Sequence, residues 1–319
     1  MVIRYIIGRF AASVILLLLV SFFLFSMVAM APGDPLTVLT GGRSISPEQL
    51  DQLRNYYHLD QPFLAQYLLW LGNLLHGDLG MSMSQQSSVW QAIQPRIAPT
   101  FWLGAFAGTL VLIFGFGAGV VAAMKRGRAV DGVLSGLMLT AASVAPYVSA
   151  IILIVVFGQW LGWFPTYGLG EGPSDYVYHL VLPAIALAVA LSAFIGRISR
   201  ASMIDALSSD YVDTARSRGL TSSSVNIKHA LRTALVPIVT VGGITVGYLF
   251  TGAIVIEYTF GLSGLGSALV QAILSKDYAL VQAIALLFVF VFVLANLIAD
   301  IFVLIIDPRQ RIASAGGTR

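Results

Sequence analysis

Residues able to do chemistry are few in this sequence, and their spacing excludes most reactions. The lysines are Lys125, Lys228 and Lys276, and none follows a glycine. The Gly-x-x-x-x-Gly-Lys-Ser/Thr loop that cradles nucleotide phosphates is therefore missing. His58, His76, His179 and His229 are scattered, with no pair at metal-ligand spacing. The chain has no cysteine, which removes disulfides and thiolate metal sites. No Gly-x-Ser-x-Gly elbow and no nucleophile–base constellation occurs. A catalytic role is not expected. Asp300 is the one carboxylate deep within a long apolar run. Intramembrane carboxylates are costly and mark proton relays when several line up. A single Asp300, with Asn296 a turn before it, reads instead as a structural polar contact.

The elements that must carry these residues are membrane helices. Of 319 residues, 57% are hydrophobic and only 10% are charged. Soluble domains carry about 25% charge, so a bilayer is the natural solvent here. Six runs approach the roughly 20 apolar residues that cross a hydrocarbon core: Phe10–Ala31, Thr100–Met124, Gly132–Phe157, Leu180–Gly196, Ala234–Ile256 and Val281–Ile306. Short alternating segments of an outer-membrane barrel are not visible. The first run competes with a signal-peptide reading, since Arg4 and Arg9 precede it and Ala29-Met30-Ala31 ends it. Its length and the following Pro-Gly-Asp-Pro favour a retained anchor. Basic residues set the direction. With both termini in the cytoplasm, only Arg43, Arg54, Arg96 and Lys276 lie outside. The net charge of +3 includes no basic block of the kind nucleic-acid binding needs.

The connections hold what polar sequence remains. Residues 32–99 form a long outer segment. Ser46-Pro47-Glu48-Gln49 has the residues of a helix start. Phe63, Tyr67, Trp70, Leu71, Leu74 and Leu75 recur at helical spacing from Pro62 to His76, and Gly77 closes the run. These aromatics are expected to pack on the outer ends of the membrane helices. Lys125–Asp131 is a short basic connection. Arg197–Thr233 is a long polar segment in a chain otherwise stripped of polarity. Ala201–Leu207 and Tyr211–Arg218 read as short helices, Gly219 as the stop of the second, and Val225–Leu235 as helix re-entering the membrane with Pro237 in its first turns. Two helices and a glycine stop exceed what a linker needs, so this segment reads as a handle for another protein. The outer stretch Glu257–Leu280, with Phe260, Gly264 and Gly266, reads either as a surface loop or as a short re-entrant helix. Non-helical backbone at that depth survives only when buried or lining a wet cavity. The small residues Gly242, Gly243, Gly247 and Gly252 would let the fifth span approach a neighbour closely.

Asp210-Tyr211-Val212-Asp213-Thr214-Ala215-Arg216-Ser217-Arg218-Gly219-Leu220, followed by His229-Ala230-Leu231-Arg232-Thr233-Ala234-Leu235-Val236-Pro237, resembles the signature loop of permease subunits in bacterial ABC importers. Asp213-Thr214-Ala215 stands where that family has Glu-Ala-Ala, and Gly219 holds the glycine place. The longer spacing to Pro237 is similar to the oligopeptide/dipeptide branch, which includes nickel and glutathione permeases. Pro32-Gly33-Asp34-Pro35, Leu59-Asp60-Gln61-Pro62, Gly77-Asp78-Leu79-Gly80-Met81-Ser82, Gly264-Leu265-Gly266 and Asp307-Pro308-Arg309 resemble the same branch in the same order. Ser263, Ala279 and Thr214 depart from it. The long segment after the first span points to the first of the two permeases in such systems.

The resemblance implies an all-α integral membrane fold of the type I importer permease kind, with six transmembrane helices and a small helical extracytoplasmic segment. It implies a division into residues 1–31, 32–99, a core at 100–306 with coupling loop 197–233, and a tail at 307–319. It implies a bacterial cytoplasmic membrane location and import of di- or oligopeptides, with nickel chelates or glutathione as the alternative cargo. The implied partners are a second homologous permease, two ATPase subunits that hold the ATP and Mg, an extracytoplasmic binding protein and membrane lipid. No cofactor is expected on this chain. Tyr211, Asp213, Ala215, Arg216, Arg218, Gly219, Leu220, His229 and Arg232 would form the ATPase-coupling loop. Ala215 and Gly219 would permit close approach, and Arg216, Arg218 and Arg232 would pair with acidic groups. Glu257, Phe260, Gly264 and Gly266 would belong to an outer gate. An ion-gradient transporter would instead show charged or unwound sites at the midplane, and a scaffold protein would leave the glycine-rich outer stretch unexplained.

Overall fold

The computed structural model describes residues 2–29 and 60–306, with Ser46, Glu48 and Arg54 between them. The Pro-Gly-Asp-Pro at residues 32–35, most of the helix start at residues 46–49 and the Asp-Pro-Arg at residues 307–309 lie outside the described residues.

Among the described residues the regular structure is helical apart from one small hairpin, with an irregular stretch at residues 161–172. The helices are α1 (Val2–Ala29), α2 (Phe63–Leu75), α3 (Val89–Met124), α4 (Ala129–Ala142), α5 (Pro146–Trp160), α6 (Pro173–Leu207), α7 (Asp210–Ser217), α8 (Ser222–Phe260), α9 (Leu265–Leu274) and α10 (Tyr278–Ile306). The hairpin pairs β1 (Met81–Ser82) with β2 (Ser87–Ser88). Among the described residues five helices are long and apolar enough to cross a membrane, or six if the bent pair α4–α5 counts as one span.

That pair departs from the straight span expected over Gly132–Phe157. Its two helices meet at 101°. Pro146 opens α5, and Ala145 before it is extended, with φ −67° and ψ 145°. A proline offers the preceding helix no N–H and disfavours the helical region for its predecessor, and here the chain breaks at that point. The fourth span is likewise longer than Leu180–Gly196. It is the 35-residue α6, about 52 Å long at 1.5 Å per residue. The separate helix expected at Ala201–Leu207 is the end of α6, carried beyond a hydrocarbon core of about 30 Å.

α6 sits at the centre, packed by α3, α4, α5 and α8. Its crossing with α3 depends on small residues. A Cβ on Gly115 would lie 2.7 Å from the Ser192 carbonyl, and one on Gly119 would lie 2.3 Å from that of Gly196. Gly115-xxx-Gly119 thus faces Ser192-xxx-Gly196, so the backbones pack directly, the usual substitute for hydrophobic driving force between helices in lipid. On the fifth span, Gly243 meets Ala299 and Asn296 of α10, Gly247 meets Phe292 of α10, and Gly252 meets Leu187 of α6. Gly242 differs from these three: a Cβ there would meet nothing within 4 Å.

α1 stands at the edge against α10. Arg9 Nη2 donates to Asp300 Oδ1 at 3.0 Å, and Gln282 Nε2 donates to the Leu24 carbonyl at 3.1 Å. Asp300 therefore has a structural partner, but that partner is Arg9 on another helix. Asn296 donates instead to the Phe292 carbonyl at 2.8 Å. The aromatics of α2 pack as expected on α1: Phe63, Tyr67 and Trp70 meet the rings of Phe22 and Phe25.

Candidate functional site

Two regions hold the residues singled out from the sequence, one at each end of the bundle. At the end rich in Lys and Arg, α7 is an eight-residue helix whose two faces differ in composition. Val212 and Ala215 are buried against Met203, Ala206, Val225, Ala230, Ala234 and Ile238. Tyr211, Asp213, Arg216, Arg218, Gly219 and Leu220 are exposed. The implied role of Ala215 in close approach to a partner meets a different placement: its methyl faces this chain's own core, and its small size lets α7 seat on α6 and α8. Asp210 and Asp213 lie in the first turn and Arg216 in the last, the arrangement that complements a helix dipole. Arg216 Nη1 donates to Asp213 Oδ1 at 3.1 Å. Gly219 has φ +80° and no atom within 4 Å of a Cβ position. Its requirement is conformational, the left-handed turn that ends a helix.

Beside α7 lies a groove of about 980 Å³. Its walls come from the ends of α6 and α10 and the start of α8; Tyr211, Lys228, His229 and Arg232 line it, with Asp205 as its acidic member. His229 and Arg232 thus join Tyr211 in one concavity, while Arg218 and Leu220 lie outside its lining. Among the described residues Arg218, Lys228 and Arg232 form no ion pair within the chain. Below this surface, Asp131 of α4 takes both Arg200 Nε at 2.7 Å and Arg200 Nη2 at 2.9 Å from α6, and the Gly127 N–H at 3.1 Å. This two-point clamp fixes the short basic connection against α6.

At the opposite end, the expected outer stretch begins within a helix. Glu257 and Phe260 belong to the last turn of α8, and α9 follows after a four-residue break. α9 packs on α3, α8 and α10, so it is a short helix set into the bundle and not a surface loop. Glu257 is fully buried. Its Oε1 accepts the Thr100 hydroxyl at 2.5 Å, and its Oε2 accepts the Gly266 N–H at 2.7 Å and the Ser267 N–H at 3.1 Å. Thr100 Oγ1 in turn accepts the Leu265 N–H at 2.8 Å. The first N–H groups of a helix have no intrahelical partner and favour an anion. Glu257 and Thr100 together satisfy three of them at the start of α9. The glycines follow from this geometry. A Cβ on Gly264 would lie 2.3 Å from the Glu257 carboxylate, and one on Gly266 would lie 2.5 Å from Ile254 Cα.

Sequence reading missed Thr100 and Asp277. Asp277 is buried; its Oδ2 accepts the Ser82 hydroxyl, the Ser84 hydroxyl and the Ser84 N–H at 2.6, 2.6 and 2.9 Å. It also caps α10 through the Leu280 N–H at 3.2 Å. An Asp just before an apolar helix was a visible cap signal. Its tie to the hairpin, far away in sequence, was not. No group of three or more His, Asp or Glu side chains suited to a metal occurs among the described residues.

The class these features define is a helical membrane bundle with a seated short helix presented at its basic end. Comparison with known proteins gives that class its family. Residues 115–312 match the model of the binding-protein-dependent transport system inner membrane component, and residues 2–104 match the model of the N-terminal part of such components. The chain belongs to this family of importer permeases. It is 36% identical to the glutathione transport system permease protein GsiC of Escherichia coli strain K12, over 97% of this chain and 99% of that protein. Its similarity to GsiC of Shigella dysenteriae serotype 1 has the same extent. Among solved structures, the inward-facing MetNI methionine ABC transporter aligns with TM-score 0.57 and 17% identity, over 68% of this chain and 97% of that one. An amino acid ABC transporter aligns with TM-score 0.52 and 16% identity, over 66% of this chain and 92% of that one. At these identities the structures support the fold alone. The chain is thus a non-catalytic, multi-pass subunit of an ABC importer that works with ATPase and substrate-binding partners.

Proposed function

We propose that this permease carries short peptides, a class that includes the tripeptide glutathione. The observation that carries this reading is full-length similarity, at 36% identity, to permeases named for glutathione transport. Di- and oligopeptides are the cargo expected from the sequence resemblance, glutathione is the alternative that these relatives favour, and nickel chelates are the other alternative. In this reading the chain pairs with a second, homologous permease, with both termini in the cytoplasm. α7 and the Gly219 turn seat in a groove of an ATPase subunit that holds the ATP and Mg. Tyr211, Asp213, Arg216, Arg218 and Leu220 face that subunit, and His229 and Arg232 line the adjoining groove. ATP binding draws the permease halves toward an outward-open state, the binding protein delivers its ligand, and hydrolysis resets the pair. The cycle rests on different affinities for two conformations. The Glu257 knot keeps α9 fixed to α8 and α3 as those helices move.

Uptake by cells carrying the complete importer, with a deletion of this subunit as control, tests the cargo. Labelled glutathione should enter only when the subunit is present, and unlabelled dipeptides should compete. Subunit-dependent entry of nickel chelates that neither peptides nor glutathione reduce would overturn the peptide reading.

A further inference from the structure

The proposed transport cycle assigns no role to the helix α2. Its thirteen residues, Phe63–Leu75, include no charged side chain. One side covers Phe22 and Phe25 of α1. On the other side Leu64, Leu68 and Leu75 are 61%, 59% and 79% exposed, with Leu69 beside them at 43%. Leu64, Leu68 and Leu75 share one stripe of the helix by their spacing.

The height of α2 along α1 follows from its hydrogen bonds. The Tyr67 hydroxyl lies 2.9 Å from Ser21 Oγ and 3.3 Å from the Leu18 carbonyl. The apolar window of α1 runs from Ile7 to Met27. Leu18 is nine residues inside its far end, about 14 Å at 1.5 Å per residue, nearly half the roughly 30 Å core. The ring contacts fall at Phe22 and Phe25, nearer that end but still inside the window. At thirteen residues α2 is too short to cross. A helix lying on a membrane surface carries a charged face toward water, and α2 has none. Exposed Asp60 and the exposed His76–Asp78 turn flank it, so both of its ends return to polar surroundings. The exposed face of α1, including Leu19 and Phe23, continues the same apolar surface.

We propose that α2 is sunk into the leaflet opposite the basic end, with Leu64, Leu68 and Leu75 against lipid acyl chains, as a half-depth buttress for α1. Side-chain ties then hold α1 to the protein at both ends, Arg9–Asp300 near one face and Gln282–Leu24 with Tyr67–Ser21 toward the other.

Spin labelling tests the depth. The chain has no cysteine, so Leu68→Cys gives a single label site within it, in an assembled, reconstituted transporter whose other subunits carry no reactive thiol. Dissolved oxygen concentrates in acyl chains, and a water-soluble nickel chelate stays outside them. At Leu68 oxygen should relax the label several-fold more than the nickel chelate, and the ratio should invert at Asp60→Cys. Leu64→Cys provides the same reading if the Leu68 variant fails to assemble. A nickel-dominated response at the leucines puts the stripe in water and overturns the proposal. A label reached by neither reagent overturns it too, because a protein partner then covers α2.

Discussion

Glu257 at one end of the bundle and Arg216 at the other are both charged and both lie on helices, yet their surroundings differ. Glu257 is fully buried, and its two oxygens take three donors from α3 and α9. Arg216 stands exposed on α7, and among the described residues its one bond reaches only to Asp213 in the same helix. The first arrangement is closed: its polar groups are satisfied within the chain. The second is open: Tyr211, Arg218 and Leu220 are exposed around it, and a partner's surface can use them. Rigidity at one end and availability at the other are what a subunit needs if its motor is a separate protein.

The largest effect should come from opening the closed end. Glu257→Ala strands the Gly266 and Ser267 N–H groups in the core and leaves the Thr100 hydroxyl only the Arg96 carbonyl at 3.4 Å. Each buried donor left unsatisfied costs about 1–3 kcal/mol. Thermal unfolding in detergent should show a marked loss of stability, and less for Glu257→Gln, which keeps one acceptor oxygen. If Glu257→Ala melts with the parent protein, the knot is not closed as described. Next comes Ala215→Glu, which puts a carboxylate on the buried face of α7. An unpaired neutral polar group there costs about 1–3 kcal/mol and an ionised carboxylate more, concentrated locally. Hydrogen exchange across residues 210–217 should accelerate while the spans stay protected. Unchanged protection would mean that Ala215 faces outward, against its buried position.

Legibility in the sequence follows the same division. α7 and its stop were readable over Tyr211–Arg218 and Gly219 because a short polar helical stretch and a terminating glycine are local signals. The spans were readable because a bilayer demands long apolar runs. The bend at Ser143–Ala145 also had a local signal in Pro146, but hydropathy alone ran through it. The Glu257 knot was readable only as unexplained glycines. Gly264 and Gly266 stand out in the sequence, but the carboxylate they make room for takes Thr100 from 157 residues away. The same holds for Arg9 and Asp300, 291 residues apart. A lone intramembrane Asp announces a partner without naming it. Long-range pairing of this kind depends on which helices meet, and apolar runs do not encode that individually.

At the open end, function and stability should separate. Gly219→Asp forces a left-handed residue with a side chain, at about 1–2 kcal/mol of local strain, in space where a Cβ meets nothing. The protein should still insert and melt within a few degrees of the parent, whereas ATP-driven uptake should fall to the level of the deletion. Full uptake in this variant would remove the turn from the coupling surface.

The smallest change in stability should come from Arg216→Glu. An exposed pair three residues apart on a helix contributes about 0.2–0.5 kcal/mol, and most surface substitutions stay within about 0.5 kcal/mol. Unfolding should therefore be nearly unchanged. If Arg216 meets an acidic surface on the ATPase, reversing its charge should weaken co-purification of that subunit, most at low salt, where exposed charges are least screened. Asp213→Asn supplies the counterpart: it removes the same intrahelical ion pair but leaves the cation. Retention of the ATPase with Asp213→Asn and loss with Arg216→Glu would assign Arg216 to the partner. Equal loss in both would instead make the pair a brace for α7, and the open end would then be partly closed, like the knot at Glu257.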